Sequence, residues 1–371
     1  MMTVPSIPTV DIHEVSTNLW GTDLQPAGCD RCGQAYLVPM NSSNQICPGC
    51  MTGKLTPQPA LLRSEPPELL IPYQINSTKL KQQLDTFTSG IWLHSDDFTT
   101  ENLYQRLRPV FIPMWLTDCN LEGFWKAEMG FDYQVASALD SYVNGDWKSQ
   151  ERIETRVRWE PRVGQIKRHY DNIATPAVTN FANMTYLAGN FNLEKAEDFR
   201  HDRLGKASMR IPDLNPENAW PMTQENIKKA AGFDIQNACK AQHTRDLDIT
   251  TTYSDLQWTQ LLLPIYISYY SGDHDEPHLV YINGQTGKIG GPRLSSQRKG
   301  WHFAFIIALI AIMSLLIGVI LSALIPVSAI FGVIGSVLIL IGCLGLCGAI
   351  VPAVWPWQWN RQQTQPKVTA K

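Results

Sequence analysis

The C-terminal tail constrains this chain more than any other part of its sequence. From Trp301 to Asn360 no side chain carries a formal charge, apart from the titratable imidazole of His302. Pro326 divides the stretch into two spans, residues 303–325 and 328–352. A helix rises about 1.5 Å per residue, so each span can cross the roughly 30 Å hydrocarbon core of a bilayer. The pattern predicts a transmembrane helical hairpin over residues 301–357.

The average composition conceals this tail. The whole chain is 44% hydrophobic and 18% charged, with 31 basic and 34 acidic residues, which is typical of a soluble globular protein and excludes a disordered or collagen-like chain. Residues 301–371 contain three basic residues and no acidic one, so residues 1–300 hold the whole excess of acid. The alternative, a hairpin buried in a soluble core, would need protein around helices that have no polar face.

Basic residues and tryptophans at the ends of the spans predict the orientation. Cytoplasmic flanks carry an excess of Lys and Arg, and tryptophans gather at the membrane interface. The basic residues are Lys288, Arg293, Arg298 and Lys299 before the first span and Arg361 and Lys367 after the second; the tryptophans are Trp301, Trp355, Trp357 and Trp359. We expect both chain ends in the cytoplasm, two spans in the inner (cytoplasmic) membrane, and the tryptophans in one interfacial belt. No charged n-region precedes an apolar h-region at the start, so residues 1–300 should stay in the cytoplasm.

Small residues recur at helical spacing in both spans and predict close helix packing. They are Ala304, Ala308, Ala311, Ser314, Gly318 and Ser322 in the first span, and Gly332, Ser336, Cys343 and Cys347 in the second. We interpret both stripes as packing within the hairpin, with oligomerisation as the alternative. The thiols of the second stripe would then be packing residues rather than a redox or metal pair.

Four cysteines form the clearest chemical motif. Cys29 and Cys32, then Cys47 and Cys50, make two C-x2-C knuckles, and this spacing is typical of a tetrahedral S4 zinc site. Loop-like flanks disfavour a thioredoxin-type redox pair, and reduced thiolates agree with a cytoplasmic location. Four ligands leave no open position for catalysis, so the predicted Zn²⁺ is structural. Cys119 and Cys239 have no partner at ligand spacing and are interpreted as ordinary buried thiols.

The charge of this ribbon bears on its partners. Between Gln25 and Pro57 there are two basic residues and one acidic residue. Affinity for nucleic acid grows with the number of phosphates neutralised, so a ribbon with so little positive charge is a poor nucleic-acid binder. A protein-docking or purely structural ribbon is the better interpretation.

The middle of the chain predicts an α+β domain with a mostly antiparallel sheet. Helices are expected at 78–88, 99–107 and 223–244, with Ser77 and either Asp97 or Thr99 as caps. Strands are expected at 110–118, 124–134, 249–270 and 279–282. The predicted organisation is an N-terminal arm (1–24), a zinc ribbon (25–57), a Pro-rich linker (58–70), an α+β cytoplasmic domain (71–295), the hairpin (301–357) and a cytoplasmic tail (358–371).

Two of these strands resemble each other. Residues 110–116 and 261–267 are both apolar strands with a central proline, Pro113 or Pro264, followed by an aromatic residue. Proline in a strand belongs at an edge or a bulge. The similarity fits a duplicated pair of β-units, and chance similarity of apolar strands is the alternative.

Catalytic motifs are absent from the sequence. The segment Gly284–Lys288 resembles a phosphate loop, but Ile282 and Ile289 stand where glycine and Ser or Thr are needed, so we expect a turn at Asn283-Gly284. His274 and His278 could bind a metal, yet their surroundings predict a solvated hairpin loop. His94 and His169 are interpreted as surface or satisfied core residues.

Taken together, the ribbon, the motifs Pro72–Ile75, Phe111–Leu116, Leu263–Tyr266 and Asn283–Lys288, and the apolar tail resemble the prokaryotic zinc-ribbon membrane proteins. These are often labelled as primosomal or superfamily II helicase-like, a label that conflicts with the missing nucleotide-binding loop. Some members are encoded beside phage-shock (PspA-like) and flotillin-like (SPFH) proteins. The resemblance implies an envelope-stress or membrane-organising scaffold that binds such partners.

The sequence thus predicts a non-enzymatic, membrane-anchored adaptor that recruits protein partners to the bilayer. A membrane-tethered nucleic-acid-binding regulator is the first alternative. A metal-dependent hydrolase using His274, His278 and nearby acids is the second.

Overall fold

A computed structural model describes residues 9–12, 17–20, 22–40, 45–143, 145–324, 326 and 328–364. Most of the predicted N-terminal arm, Lys367 and the end of the predicted tail lie outside these residues. The strands are β1 (Thr9–Ile12), β2 (Thr17–Leu19), β3 (Thr22–Cys29), β4 (Ala35–Pro39), β5 (Leu55–Pro57), β6 (Ala60–Arg63), β7 (Leu69–Leu70), β8 (Arg108–Val143), β9 (Asp146–Pro176), β10 (Glu197–Asp198), β11 (Ser208–Arg210), β12 (His243–Ser271), β13 (Pro277–Asn283) and β14 (Ile289–Gly290). The helices are α1 (Ser77–Thr88), α2 (Thr100–Gln105), α3 (Phe181–Ala188), α4 (Pro216–Cys239), α5 (Gln297–Ala323) and α6 (Ala329–Thr364), with short 3₁₀ helices at Leu193–Lys195 and His201–Arg203.

The predicted α+β class with a mostly antiparallel sheet is confirmed. Strands β1 and β6 form a two-stranded sheet, and the other twelve strands form one mixed sheet in which β11–β8 and β12–β7 are the parallel pairs among the described strands. Its centre is three long antiparallel strands in the order β12–β8–β9, with 29, 36 and 31 residues.

These long strands correct two sequence expectations. The predicted strands 110–118 and 124–134 are one continuous strand, β8, because β12 and β9 pair with it through residues 119–123 as well. The sequence patterns assign no element to residues 135–222, yet this region contains β9, β10, β11 and α3 and the start of α4.

The two prolines of the similar segments occupy equivalent places. Pro113 pairs with Leu262, and Pro264 pairs with Phe111, so the two segments are antiparallel neighbours. On its other side, Pro113 lies between the stretch paired with β11 and the stretch paired with β9. Pro264 lies likewise between the stretches paired with β7 and with β13. Each proline therefore stands where the hydrogen-bonding ladder already changes partner, which is where a missing N–H is tolerated.

The helix predictions need small shifts. Asn76, rather than Ser77, caps α1 by accepting a hydrogen bond from Lys79 N, while Thr99 caps α2 as expected. The predicted helix 223–244 instead spans Pro216–Cys239. Its start is fixed by the cap Asn215 and by Pro216, which suits the first turn, and its end by the left-handed Lys240.

The Pro-rich stretch 58–70 is part of the folded body rather than a linker. Residues 60–63 pair with β1, and residues 69–70 pair with both β10 and β12. Leu62 and Leu70 are buried, so apolar contacts hold the segment although prolines surround it.

Helices α5 and α6 form an antiparallel hairpin, and both are long and apolar enough to cross a membrane. The predicted stripe on the first helix is confirmed in part: Ala304, Ala311 and Gly318 are buried, Ala311 and Gly318 lie against glycines of α6, and the half-buried Ser314 donates to Leu338 O. The stripe on the second helix is wrong. Glycines at 335 and 342 face α5, whereas Ser336, Cys343 and Cys347 are exposed.

The hairpin is fixed to the sheet by the last turns of α6. Trp359 Nε1 donates to Arg293 O at 2.6 Å, and the Asn360 side chain bonds both N and O of Ser295 at 2.8 and 2.9 Å. Trp355 packs edge-on against Trp92 and stacks on Trp359. Trp355 and Trp359 therefore pack against the soluble body rather than facing outward in a shared belt with Trp301 and Trp357, which are exposed.

Candidate metal centre

The four cysteines lie on two knuckles that the ribbon strands present to each other. The first knuckle joins β3 to β4, and Gly33 there adopts a left-handed φ of 71°. The second precedes β5, which pairs with β3 and so brings Cys47 and Cys50 back beside Cys29. Folding of the second knuckle is set by Met51 N donating to Cys47 O and Cys47 N donating to Gly53 O.

The sulfur geometry fits a tetrahedral metal ion. All four Sγ atoms lie within 4.8 Å of one another, and the pairs Cys29–Cys50 and Cys32–Cys47 are 3.7 Å apart. Four thiolates at the usual zinc–sulfur distance of about 2.3 Å would be separated by about 3.8 Å. The predicted ligand set is therefore brought together, and it can hold a metal ion.

Backbone amides surround the sulfurs. The amides of Arg31 and Cys32 donate to Cys29 Sγ at 3.4 Å, Gly49 N donates to Cys47 Sγ at 3.3 Å, and Gly53 N donates to Cys50 Sγ at 3.3 Å. Such bonds favour the thiolate over the thiol. The amide of Gly33, by contrast, donates to Cys29 O rather than to a sulfur.

The thiols differ strongly in acidity. Burial raises the pKa of Cys47 and of Cys32. Burial also acts against ionisation of Cys50, but hydrogen bonds from Thr52 and Gly53 outweigh it and lower the pKa of Cys50 to about 6. Collecting four thiolates in this partly buried space requires a cation, because desolvation and mutual repulsion both disfavour the ionised sulfurs.

The ribbon shares a core with the main sheet. Strand β4 pairs with β11, which pairs with β8. Tyr36, Cys47 and Leu55 are almost fully buried and belong to the same apolar cluster as Ile112 of β8 and Leu263 of β12. The knuckles are therefore fastened to the domain, and a metal ion here would stabilise part of that common core.

The histidines that the sequence offered as possible metal ligands do not form a second metal-binding group among the described residues. His274 is exposed in the β12–β13 connection as expected, but His278 is not in the loop: it is partly buried within β13, paired with Tyr270, and burial lowers its pKa. Within the described ranges, no second group of three or more potential metal ligands occurs. His94 Nδ1 contacts Ser95 O, and the exposed His169 contacts Asn120 and Asp171.

The phosphate-loop resemblance is explained by a turn, as predicted. Residues 284–288 connect β13 to β14, with Gly287 N donating to Asn283 O at 2.8 Å and Asn283 Oδ1 accepting from Gln285 N and Thr286 N. Asn283 is fully buried and also bonds the backbone of Ala188 and Asn190. The loop thus closes on its own backbone and on α3.

Of the remaining cysteines, Cys119 is fully buried and Cys239 partly so. Burial raises the pKa of Cys119 to about 11, so this thiol is an inert packing residue.

Sequence reasoning missed a cavity of about 300 Å³ beside the ribbon. Its wall includes Arg63 and Arg210, which are held by Glu68 and Asp213 respectively. Trp115 and Met209 supply apolar wall. These four residues come from three separate strands, β6, β8 and β11, so no local spacing in the sequence could have indicated the cavity.

Comparisons with protein-family models, with curated proteins and with solved structures found no match to this chain. The resemblance to prokaryotic zinc-ribbon membrane proteins therefore stays a prediction.

Proposed function

We propose that this chain is a membrane-anchored adaptor whose cytoplasmic part carries a structural Zn²⁺ and holds protein partners at the bilayer. The observation that carries the proposal is the pair of exposed apolar helices that hydrogen-bond and pack against one end of the sheet. A chain of this design positions a large surface at a membrane.

The exposure of the helices supports the membrane anchor. Only 17% of the most apolar window of each helix is buried, and large side chains such as Phe305, Leu316 and Leu344 are more than half exposed. In water, apolar patches of this extent are rare on soluble proteins, whereas lipid would cover them. The few buried positions are the small residues through which the two helices touch.

The junction with the sheet supports the orientation. The start of α5 and the end of α6 lie together, and basic Arg293, Arg298 and Arg361 flank them. The large charged domain lies at the same end. An excess of basic residues marks the cytoplasmic side, so both described ends of the hairpin are assigned to the cytoplasm.

The shared core supports a structural metal. With four protein ligands, Zn²⁺ supplies cross-linking of the two knuckles and has no free position for substrate. The buried side of the zinc ribbon contacts the α+β domain, so the ion stabilises the apolar core that the two share. Partners related to PspA or flotillin remain the expectation that the sequence resemblance supplies.

Metal analysis tests the zinc assignment. Full-length protein purified in mild detergent should contain one zinc per chain, and Cys47→Ser should lose it together with several degrees of thermal stability. Cys119→Ser is the matched control, a buried thiol outside the ribbon, and should keep the zinc. Retention of zinc by the Cys47 variant would contradict the assignment.

Labelling tests the anchor and its orientation. In intact cells, a membrane-impermeant maleimide added from outside should label Ser328→Cys, at the helical turn, and should not label Gln363→Cys. Protection of both positions, or extraction of the protein by alkaline carbonate, would contradict the two-span anchor. Purification from membranes without any stoichiometric protein partner would contradict the adaptor role itself.

A further inference from the structure

At the far end of the sheet only two strands, β8 and β9, continue, and their described side chains there are exposed or half-buried. Strand β12 begins at His243, opposite Gly130, and α4 packs no further than Phe131. Beyond this point β8 and β9 continue alone through 13 residue pairs, from Phe131–Arg158 to Val143–Asp146, or roughly 40 Å. We call residues 131–158 the arm. None of its described side chains is buried.

The two faces of the arm carry opposite charge. Residues that pair directly across two strands point to the same face, and alternate residues point to opposite faces. By this register, one face holds Lys148, Arg152, Arg156 and Arg158, with Glu154 between two of the arginines and Asp146 at the turn. The other face holds Asp132, whose carboxylate contacts His243 Nε2 of the same chain at 2.8 Å, and the exposed Asp140 and Glu151, with no Lys or Arg among the described arm residues. We call these the basic face and the acidic face.

Side-chain contacts agree with this assignment. Arg156 and Arg152 both lie near Glu154, at 3.5 and 3.7 Å, so the three share the basic face. On the acidic face, Tyr142 and Trp147 have ring centroids 5.3 Å apart.

Both faces also expose apolar groups. Tyr133 and Leu139 are about half exposed on the basic face, and Trp147 and Ile153 are more than two-thirds exposed on the acidic face. A two-stranded ribbon is marginally stable in water unless a third strand, a helix or another sheet covers it. The arm therefore has two faces that gain stability from being covered.

We propose that the occupant of each face is the arm of a neighbouring copy of this chain, packed basic face against acidic face. The inference rests on the proposed membrane anchor, which would hold all copies at one height and in one orientation. Neighbouring arms would then run parallel and in register, with positive and negative side chains at matching distances from the membrane. Because the two faces differ, the contact is heterologous, and repeated copies form a ring or a row rather than a closed pair.

A nucleic acid fits the arm less well. The basic face has four cations, of which two lie beside Glu154, so few phosphates could be neutralised. The exposed tryptophan and isoleucine of the acidic face would also stay uncovered.

Charge reversal tests the proposal on the full chain in mild detergent. Asp140→Lys with Glu151→Lys gives a chain with two basic faces, and Arg152→Glu with Arg156→Glu gives one with two acidic faces. We expect wild type to form oligomers by mass photometry at low salt, and each variant alone to associate at least tenfold more weakly. Mixing the two variants should restore assembly, because faces of opposite charge then meet again.

All reversed positions are exposed, and unchanged circular dichroism and thermal unfolding would verify that the variants fold. Monomeric wild type, oligomers insensitive to both reversals, or no recovery in the mixture would overturn the proposal. Tight, salt-sensitive binding of labelled DNA or RNA by monomeric wild type, lost on Arg152→Glu with Arg156→Glu, would replace it with a nucleic-acid surface. Carbonate extraction of the membranes from which each protein is purified separates the two hypotheses: a chain that stays in the membrane but fails these tests refutes only the arm contact.

Discussion

The two ends of the long central strands are both held by antiparallel pairing, to β13 at one end and between β8 and β9 at the other, but they have opposite surroundings. At the proximal end, next to α5 and α6, the side chains of Leu103, Tyr270 and Val280 are completely buried, and Asp97 and Arg106 form an ion pair beneath them. In the arm, at the distal end, the ladder continues through 13 pairs, and none of the side chains that the structure describes there is buried. Backbone pairing alone therefore extends the strands beyond the buried core. Side-chain packing decides how much each part of the strands contributes to stability.

The largest expected difference between the two ends comes from deleting a leucine side chain. Leu103→Ala at the proximal end should lower the free energy of unfolding by about 3 kcal/mol, because a buried leucine leaves a cavity. Leu139→Ala in the arm, its matched control, should change it by less than about 0.5 kcal/mol. Urea unfolding in nanodiscs holding one copy each, followed by tryptophan fluorescence, measures both. Equal losses would show that the arm is packed as firmly as the proximal end.

The proximal ion pair should give a smaller, pH-dependent effect. Asp97 accepts hydrogen bonds from Arg106, from Ser271 N at 2.7 Å and from Asn102 Nδ2 at 3.0 Å, and the Arg106 guanidinium lowers the pKa of Asp97 despite partial burial. We expect Asp97→Asn to cost about 1–2 kcal/mol at neutral pH.

The sign of the pH effect follows from the lowered pKa. The contribution of Asp97 is complete above the unfolded-state pKa of about 3.9 and is lost as the pH falls through the lower folded-state pKa. Thermal unfolding of wild type and Asp97→Asn should therefore converge below about pH 4. Asp140→Asn on the arm serves as the exposed control, with all three proteins held as single copies in nanodiscs so that contacts between arms cannot contribute. A constant difference between wild type and variant down to strongly acidic pH would contradict the ionic mechanism.

A single hydrogen bond tests how the hairpin is fixed at the proximal end. Trp359→Phe keeps an aromatic ring but removes the bond to Arg293 O, which should cost about 1 kcal/mol. We expect faster amide hydrogen exchange in residues 293–296, measured by mass spectrometry. Trp357→Phe, on the exposed side of the same helix turn, should leave that exchange unchanged.

The smallest effect is expected at the tip of the arm. Trp147→Ala removes the contact with Tyr142, and cross-strand aromatic pairs contribute a few tenths of a kcal/mol up to about 1 kcal/mol. In single-copy nanodiscs, global unfolding should shift by less than about 0.5 kcal/mol while amide exchange accelerates only in residues 140–149. A global shift as large as that of Leu103→Ala would remove the contrast between the two ends.

The sequence predicted the chemistry that depends on local spacing. The C-x2-C knuckles, the turn at Asn283-Gly284, the cap at Thr99 and the small-residue face of α5 all follow from residues within a few positions of one another. Such features depend on one turn of a helix or on a few backbone hydrogen bonds, so they can be predicted from the sequence without knowing the fold.

The arm had a local signal that the sequence predictions did not use. Asn144-Gly145 is the dipeptide most typical of a two-residue hairpin connection, and Gly145 has a left-handed φ of 86° between the paired residues 143 and 146. The strands beside this turn were harder to predict. Both faces of the arm are exposed, so charged residues recur along β9 and no buried face produces a regular alternation of apolar and polar residues.

Other features depended on distant partners. The second-helix stripe was wrong because Ser336, Cys343 and Cys347 are as small as the glycines that actually face α5, and spacing cannot tell two stripes apart. Residues 58–70 have the composition of a linker, but pairing with β1, β10 and β12 draws them into the fold.

By itself, the sequence determined that four thiols would meet and that residues 301–360 would form two long apolar spans without a formally charged side chain other than the titratable His302, because both properties are carried by nearby residues. Only the tertiary structure decided that the zinc ribbon shares its core with the sheet and that Trp355 and Trp359 pack the hairpin against that sheet. It also decided that β8 and β9 extend beyond the end of β12 to form the arm. These outcomes depend on which distant strands and helices meet, and burial and hydrogen bonding between segments far apart in the chain set that choice.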